Sequence, residues 1–110
     1  ETLARLGMPP EVGMRHRLCH FQHLFSGASY AAGYYVYLWA EVLDADAFNA
    51  FVEAGDAFDK KMAQRLLSHI YSVGDSVAPQ DAYTSFRGRL PKLGPLLAKR
   101  GLAEEGLPAA

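Results

Sequence analysis

Four residues spaced along one stretch of this chain carry hydrogen-bonding groups at helical intervals. Tyr30, Tyr34, Tyr37 and Glu41 fall at i, i+4, i+7 and i+11, so on a helix three phenols and a carboxylate share a stripe. A phenol O–H can donate to an oxygen that gains negative charge in an acyl-transfer transition state. The same phenols can equally pack as amphipathic rings with their hydroxyls in water. A second set, His16, His20 and His23, lies at i, i+4 and i+7, a spacing that on a helix suits zinc. No Glu follows His16, so the pair His16 and His20 is not a His-Glu-x-x-His motif, and no metal site is expected from this chain alone.

Other polar residues read more plainly. Cys19 has no second thiol to pair with; it reads as a small core residue, and its being the lone cysteine favours a reducing compartment, the cytoplasm. Asp44, Asp46, Asp56 and Asp59 each fall at an expected helix boundary and read as caps. Arg87-Gly88-Arg89 could hold a carboxylate or phosphate, but a surface turn between helices accounts for it.

These residues need elements to hold them. With 110 residues, half of them hydrophobic, and a net charge of −1, the chain can bury one modest core and carries no basic footprint for nucleic acid. The apolar stretch over residues 28–43 is broken by Ser, Gly, Tyr and Glu41, so it fails as a membrane span. Residues 1–6 finish a helix at Gly7, residues 14–25 show helical spacing, and Ser26-Gly27-Ala28-Ser29 reads as a mobile loop. Residues 30–43 form a helix burying Tyr35, Leu38, Trp39 and Val42, and a further helix capped by Asp44 or Asp46 runs to Gly55. Asp59 caps the clearest amphipathic helix, with Met62, Leu66 and Ile70 every four residues beside Leu67 and Tyr71. Short helices over 80–86 and 95–100 complete an all-α fold of about five helices, and nothing reads as a paired strand.

The string Phe21-Gln22-His23-Leu24-Phe25-Ser26-Gly27, followed by Tyr30-Ala31-Ala32-Gly33-Tyr34-Tyr35-Val36-Tyr37-Leu38-Trp39-Ala40-Glu41-Val42, resembles the thimet-oligopeptidase and bacterial peptidyl-dipeptidase family of zinc metallopeptidases. Phe86-Arg87-Gly88-Arg89 and Leu97-Ala98-Lys99-Arg100-Gly101-Leu102 resemble its last stretch in the same order.

That resemblance implies a hydrolase of short peptides, with residues 1–110 a C-terminal, substrate-binding part of its catalytic domain; an opening Glu1 in place of Met agrees with an excised or processed piece. Zinc and the motif Glu that activates water would belong to the parent, leaving the isolated segment inactive. Tyr34 and Tyr37 would bond the scissile carbonyl as catalytic donors. His23, Tyr30 and the loop glycines Gly27 and Gly33 would line the bound peptide. The remainder of the peptidase would be its partner, and an isolated segment would self-associate through the surface it normally buries. From another class, a stand-alone helical interaction module without activity accounts for the same sequence.

Overall fold

The computed structural model describes residues 1–15 and 17–102. Among them are five α-helices and no strand: α1 (Thr2–Arg5), α2 (Tyr35–Ala54), α3 (Lys60–Leu66), α4 (Pro79–Arg87) and α5 (Gly94–Lys99). The all-α expectation holds. No helix among the described residues is long and apolar enough to cross a membrane. The chain divides into two compact units, residues 1–35 and residues 36–110.

The first unit holds α1 and two short 3-10 turns, Leu18–His20 and Gln22–Phe25. The helix expected over residues 14–25 is therefore replaced by two tight turns, which break at Phe21, whose ψ of 79° is not helical. Cys19, expected in a core, is exposed.

In the second unit the boundary expected at Asp44 and Asp46 is absent, and α2 runs unbroken for 20 residues. Neither aspartate is a cap. Asp46 lies mid-helix with 0% of its surface exposed, the one buried charged residue of the described core. The other buried residues are Ala45, Ala50 and Phe51 of α2, Ala82, Tyr83 and Phe86 of α4, and Leu96 of α5. A lone buried carboxylate would be expelled or neutralised, so its partners decide whether this core can exist.

Those partners come from α4 and the turn after it. Arg89 donates to both carboxylate oxygens, Nη2 to Oδ1 at 2.8 Å and Nη1 to Oδ2 at 3.1 Å. The Tyr83 hydroxyl donates to Oδ2 at 2.7 Å, and Arg87 Nε reaches Oδ2 at 3.3 Å and the Asp46 carbonyl at 3.2 Å. Arg87 also forks onto Glu53, two turns further along α2, at 2.7 and 2.6 Å. Tyr83 and Arg87 stand four apart and share one face of α4. Arg89 arrives because Gly88 ends the helix at φ 79°, a left-handed backbone that suits glycine, and sends the chain back towards α2. The expected surface turn thus does bind a carboxylate, the chain's own, and Arg87 keeps only 6% of its side chain exposed.

Burial alone would push the Asp46 carboxyl above its usual range, but the bonds from Arg89 and Tyr83 and the charges of Arg87 and Arg89 outweigh it and hold it below 3.8. Burial, then the bond to Asp46, pushes the Tyr83 phenol up, so it stays a donor.

The remaining connections follow the expected pattern. Asp59 caps α3, its Oδ1 accepting from the Met62 amide at 2.7 Å. The helix continues into a π-helical turn, Leu67–Tyr71, closed by the Ser72 amide on the Leu67 carbonyl at 2.8 Å. Arg65 reaches across to the C-terminal end of α4, Nη2 donating to the Phe86 carbonyl at 2.6 Å, which answers carbonyls left without intrahelical partners.

The first two turns of α2 differ. Tyr35, Leu38 and Trp39, expected on a buried face, are 73%, 54% and 57% exposed. Val36 and Tyr37 are also exposed.

Removing the buried carboxylate strands two guanidinium groups, so Asp46→Ala should destabilise the helical unit by about 3–5 kcal/mol. Glu53→Gln, at a half-exposed position, should cost under about 1 kcal/mol. Urea midpoints at neutral pH check the contrast, and equal shifts would contradict it. Because the folded pKa of Asp46 is depressed, its contribution is complete above the unfolded value near 3.8 and should fall away as pH drops below it.

Candidate functional site

In the first unit the backbone from Ser26 to Tyr34 coils through successive tight turns. The Ser26 hydroxyl donates to the His23 carbonyl at 3.1 Å. The Tyr30 amide closes on the Gly27 carbonyl and the Gly33 amide on the Tyr30 carbonyl, each at 3.2 Å. Gly33 permits this coil: a Cβ there would sit 3.2 Å from the Ser29 carbonyl oxygen, closer than side chains normally tolerate.

These turns bring together side chains that the sequence singled out. His23, Tyr30 and Tyr34 form a triangle with ring centroids 6.1 Å (His23 to Tyr30), 5.8 Å (His23 to Tyr34) and 6.1 Å (Tyr30 to Tyr34) apart. Phe21 closes one side with its ring edge-on to Tyr34 at 4.7 Å, a geometry aromatic quadrupoles favour. Tyr34 is half-buried, whereas His23 and Tyr30 are exposed. The result is a wall of rings with one imidazole and two phenols, groups that can stack on a ligand and bond its carbonyls.

The triangle is not the helical stripe expected. Tyr30 and Tyr34 precede α2, which starts at Tyr35, so turns bring them together. Tyr37 and Glu41 do share a face of α2, one turn apart. Tyr37 is 66% exposed, and Glu41 pairs with Arg100 at the end of α5. Of the two glycines expected in the loop, Gly33 has a steric reason to be there, whereas a Cβ at Gly27 meets only the Ser29 hydroxyl at 3.9 Å.

Nor is the histidine stripe a stripe. His20 and His23 belong to separate 3-10 turns, and His16 lies outside the described residues. Among the described residues no three His, Cys, Asp or Glu side chains are grouped to hold a metal.

The sequence reading missed the Asp46 cluster, although a signal was present. Tyr83 and Arg87 stand one helical turn apart, and a Gly-Arg follows directly, so three carboxylate-binding groups are aimed at one place.

Comparison with known proteins gives the class to which these residues belong. The model of peptidase family M3 matches residues 2–102, and the chain belongs to that family. It is similar to two proteins of Arabidopsis thaliana, a probable cytosolic oligopeptidase A and an organellar, chloroplastic/mitochondrial oligopeptidase A. Each is 50% identical over 88 residues, or 77% of this chain, and 12% and 11% of the relatives respectively. A dipeptidyl carboxypeptidase of Salmonella typhimurium strain LT2 is 40% identical over 93 residues, 84% of this chain and 13% of that protein. The chain therefore spans about an eighth of the length of the curated relatives it matches. The plant relatives include a cytosolic and an organellar form, so family membership leaves the compartment open.

Because His16 and His20 do not form a His-Glu-x-x-His motif, this chain by itself should not bind zinc with submicromolar affinity at neutral pH. Equilibrium dialysis checks this. One zinc per chain, lost on His20→Ala, would overturn it.

Proposed function

We propose that this chain forms part of the catalytic domain of a zinc-dependent oligopeptidase or peptidyl-dipeptidase, and that it handles the peptide rather than the metal. The observation that carries the reading is the convergence of His23, Tyr30 and Tyr34, in a chain of family M3, into a triangle about 6 Å on a side. Zinc, which supplies the activated water in the mechanism the resemblance implies, would be held by residues elsewhere in the full-length protein.

The roles follow from the side-chain chemistry. His23 and Tyr30, exposed on the turns, contact the bound peptide, and Gly27 and Gly33 let the loop backbone approach it. Tyr34 and Tyr37 donate hydrogen bonds to the scissile carbonyl oxygen. Their bonds strengthen as that oxygen becomes an alkoxide, which is how a donor lowers a barrier instead of merely tightening binding.

Supporting the role of the rest of the peptidase as partner is the exposed apolar surface of α2 around Val36, Leu38 and Trp39. An isolated segment should hydrolyse no peptide and should self-associate through that surface. Sedimentation showing a monomer at high concentration would count against the covered-face reading.

Tyr37→Phe removes one hydroxyl and almost no volume, so a packing role would leave turnover unchanged. As an oxyanion donor in the full-length gene product, its loss should lower kcat by about a hundredfold or more with KM little moved. Tyr34→Phe should act in the same direction, and Tyr35→Phe should be near neutral. Small, equal effects at all three positions in folded enzyme would sink the donor role.

A further inference from the structure

The same helix carries Tyr37 and Asp46, nine residues apart. At 3.6 residues per turn that separation is about 180° around the axis and about 13.5 Å along it. The side of α2 that grips α4 is thus opposite the side that presents the Tyr37 phenol.

What α4 grips is unusually complete. Tyr83 donates to the Leu43 carbonyl at 3.3 Å as well as to the Asp46 carboxylate. Arg87 holds the Asp46 backbone carbonyl and forks onto Glu53, and Arg89 closes bidentately on Asp46. These attachments run from Leu43 to Glu53, about 15 Å of helix. They fix both the rotation of α2 about its axis and its slide along α4, because a bidentate carboxylate pair tolerates little displacement.

The small side chains nearby do not supply that constraint. Ala45, Ala50 and Ala82 offer little surface relief against rotation, and the apolar contacts of Phe51 and Phe86 are undirected where the hydrogen bonds are not. On the Tyr37 side, the pairs Glu41–Arg100 and Asp44–Lys99 have side chains about half exposed or more, and such pairs hold a helix weakly. Tyr37 lies on the same unbroken helix as these attachments, so a rotation of the anchored half turns Tyr37 with it.

We propose that Asp46 is a positioning residue for Tyr37: gripped by Tyr83, Arg87 and Arg89, it sets the rotation and height of α2 and so aims the phenol on its far side. The inference rests on the donor role of Tyr37 proposed above. It adds four residues, none of which touches substrate, to the machinery of the reaction. A buried ion pair is a poor source of net stability, whereas a misplacement of about 1 Å at a reacting group can cost about a hundredfold in rate.

The test is a double-mutant cycle in the full-length enzyme, with circular dichroism confirming the fold of every variant. Asp46→Asn keeps the side-chain volume and removes the charge. It should lower kcat about tenfold or more with KM little changed, and in a Tyr37→Phe background it should change kcat by less than about twofold. Should Asp46→Asn fail to fold, Tyr83→Phe deletes one hydroxyl, leaves both arginine pairs in place, and should show the same kcat loss and the same disappearance in the Tyr37→Phe background. A kcat effect that multiplies undiminished with Tyr37→Phe, or no kcat effect in the folded variant, overturns the positioning role and leaves the donor role standing. A Tyr37→Phe that is itself neutral instead overturns the donor role, and the positioning role with it.

Discussion

One carboxylate with no access to water organises the second unit. Asp46 is fully buried, yet it stays ionised because two guanidinium groups and a phenol answer its oxygens. Among the described residues no buried side-chain nitrogen or oxygen lacks a partner, so the cluster meets the condition under which buried charge is tolerable. Each member needs the others. Without Gly88 and its left-handed backbone Arg89 would not turn back to α2, and without Asp46 Arg87 would keep only Glu53 and Arg89 only the Leu90 carbonyl and Glu53.

This arrangement divides α2 into two halves with different tasks. The half from Leu43 to Glu53 is anchored by polar contacts and by Ala50 and Phe51. The half from Tyr35 to Glu41 is exposed and carries Tyr37, with Glu41 paired to Arg100. Helix stiffness joins the halves, so order in one becomes orientation in the other. A Leu or Phe in place of Asp46 could fill the core, but apolar contacts with alanine neighbours would not choose one rotation as sharply as directed hydrogen bonds do.

The aromatic triangle depends on a different device. His23, Tyr30 and Tyr34 meet through short turns, not along a helix face. Turn geometry permits this because Gly33 lets the chain pass within contact distance of the Ser29 carbonyl. Ring packing with Phe21 then holds Tyr34 half-buried. The triangle rests on coiled backbone and the Tyr37 phenol on a long helix, so the two have separate sensitivities to substitution.

Local signals in the sequence determined the all-α class, the Asp59 cap and the end of α2 at Gly55. Those features depend on neighbours within a turn or so, where capping, glycine backbone freedom and side-chain type act directly. The ordered strings that resemble oligopeptidases were equally legible, and the family match bears out that likeness. Tertiary structure alone decided the rest. Helical spacing in residues 14–25 and 30–34 misled because periodicity records which residues could share a helix face, not whether the backbone forms the helix. Asp46 looked like a cap for a related reason: an aspartate among apolar residues is costly inside a helix unless something distant answers its charge. The answer lies in Tyr83, Arg87 and Arg89, some 37 to 43 positions along the chain, and only folding brings them within reach.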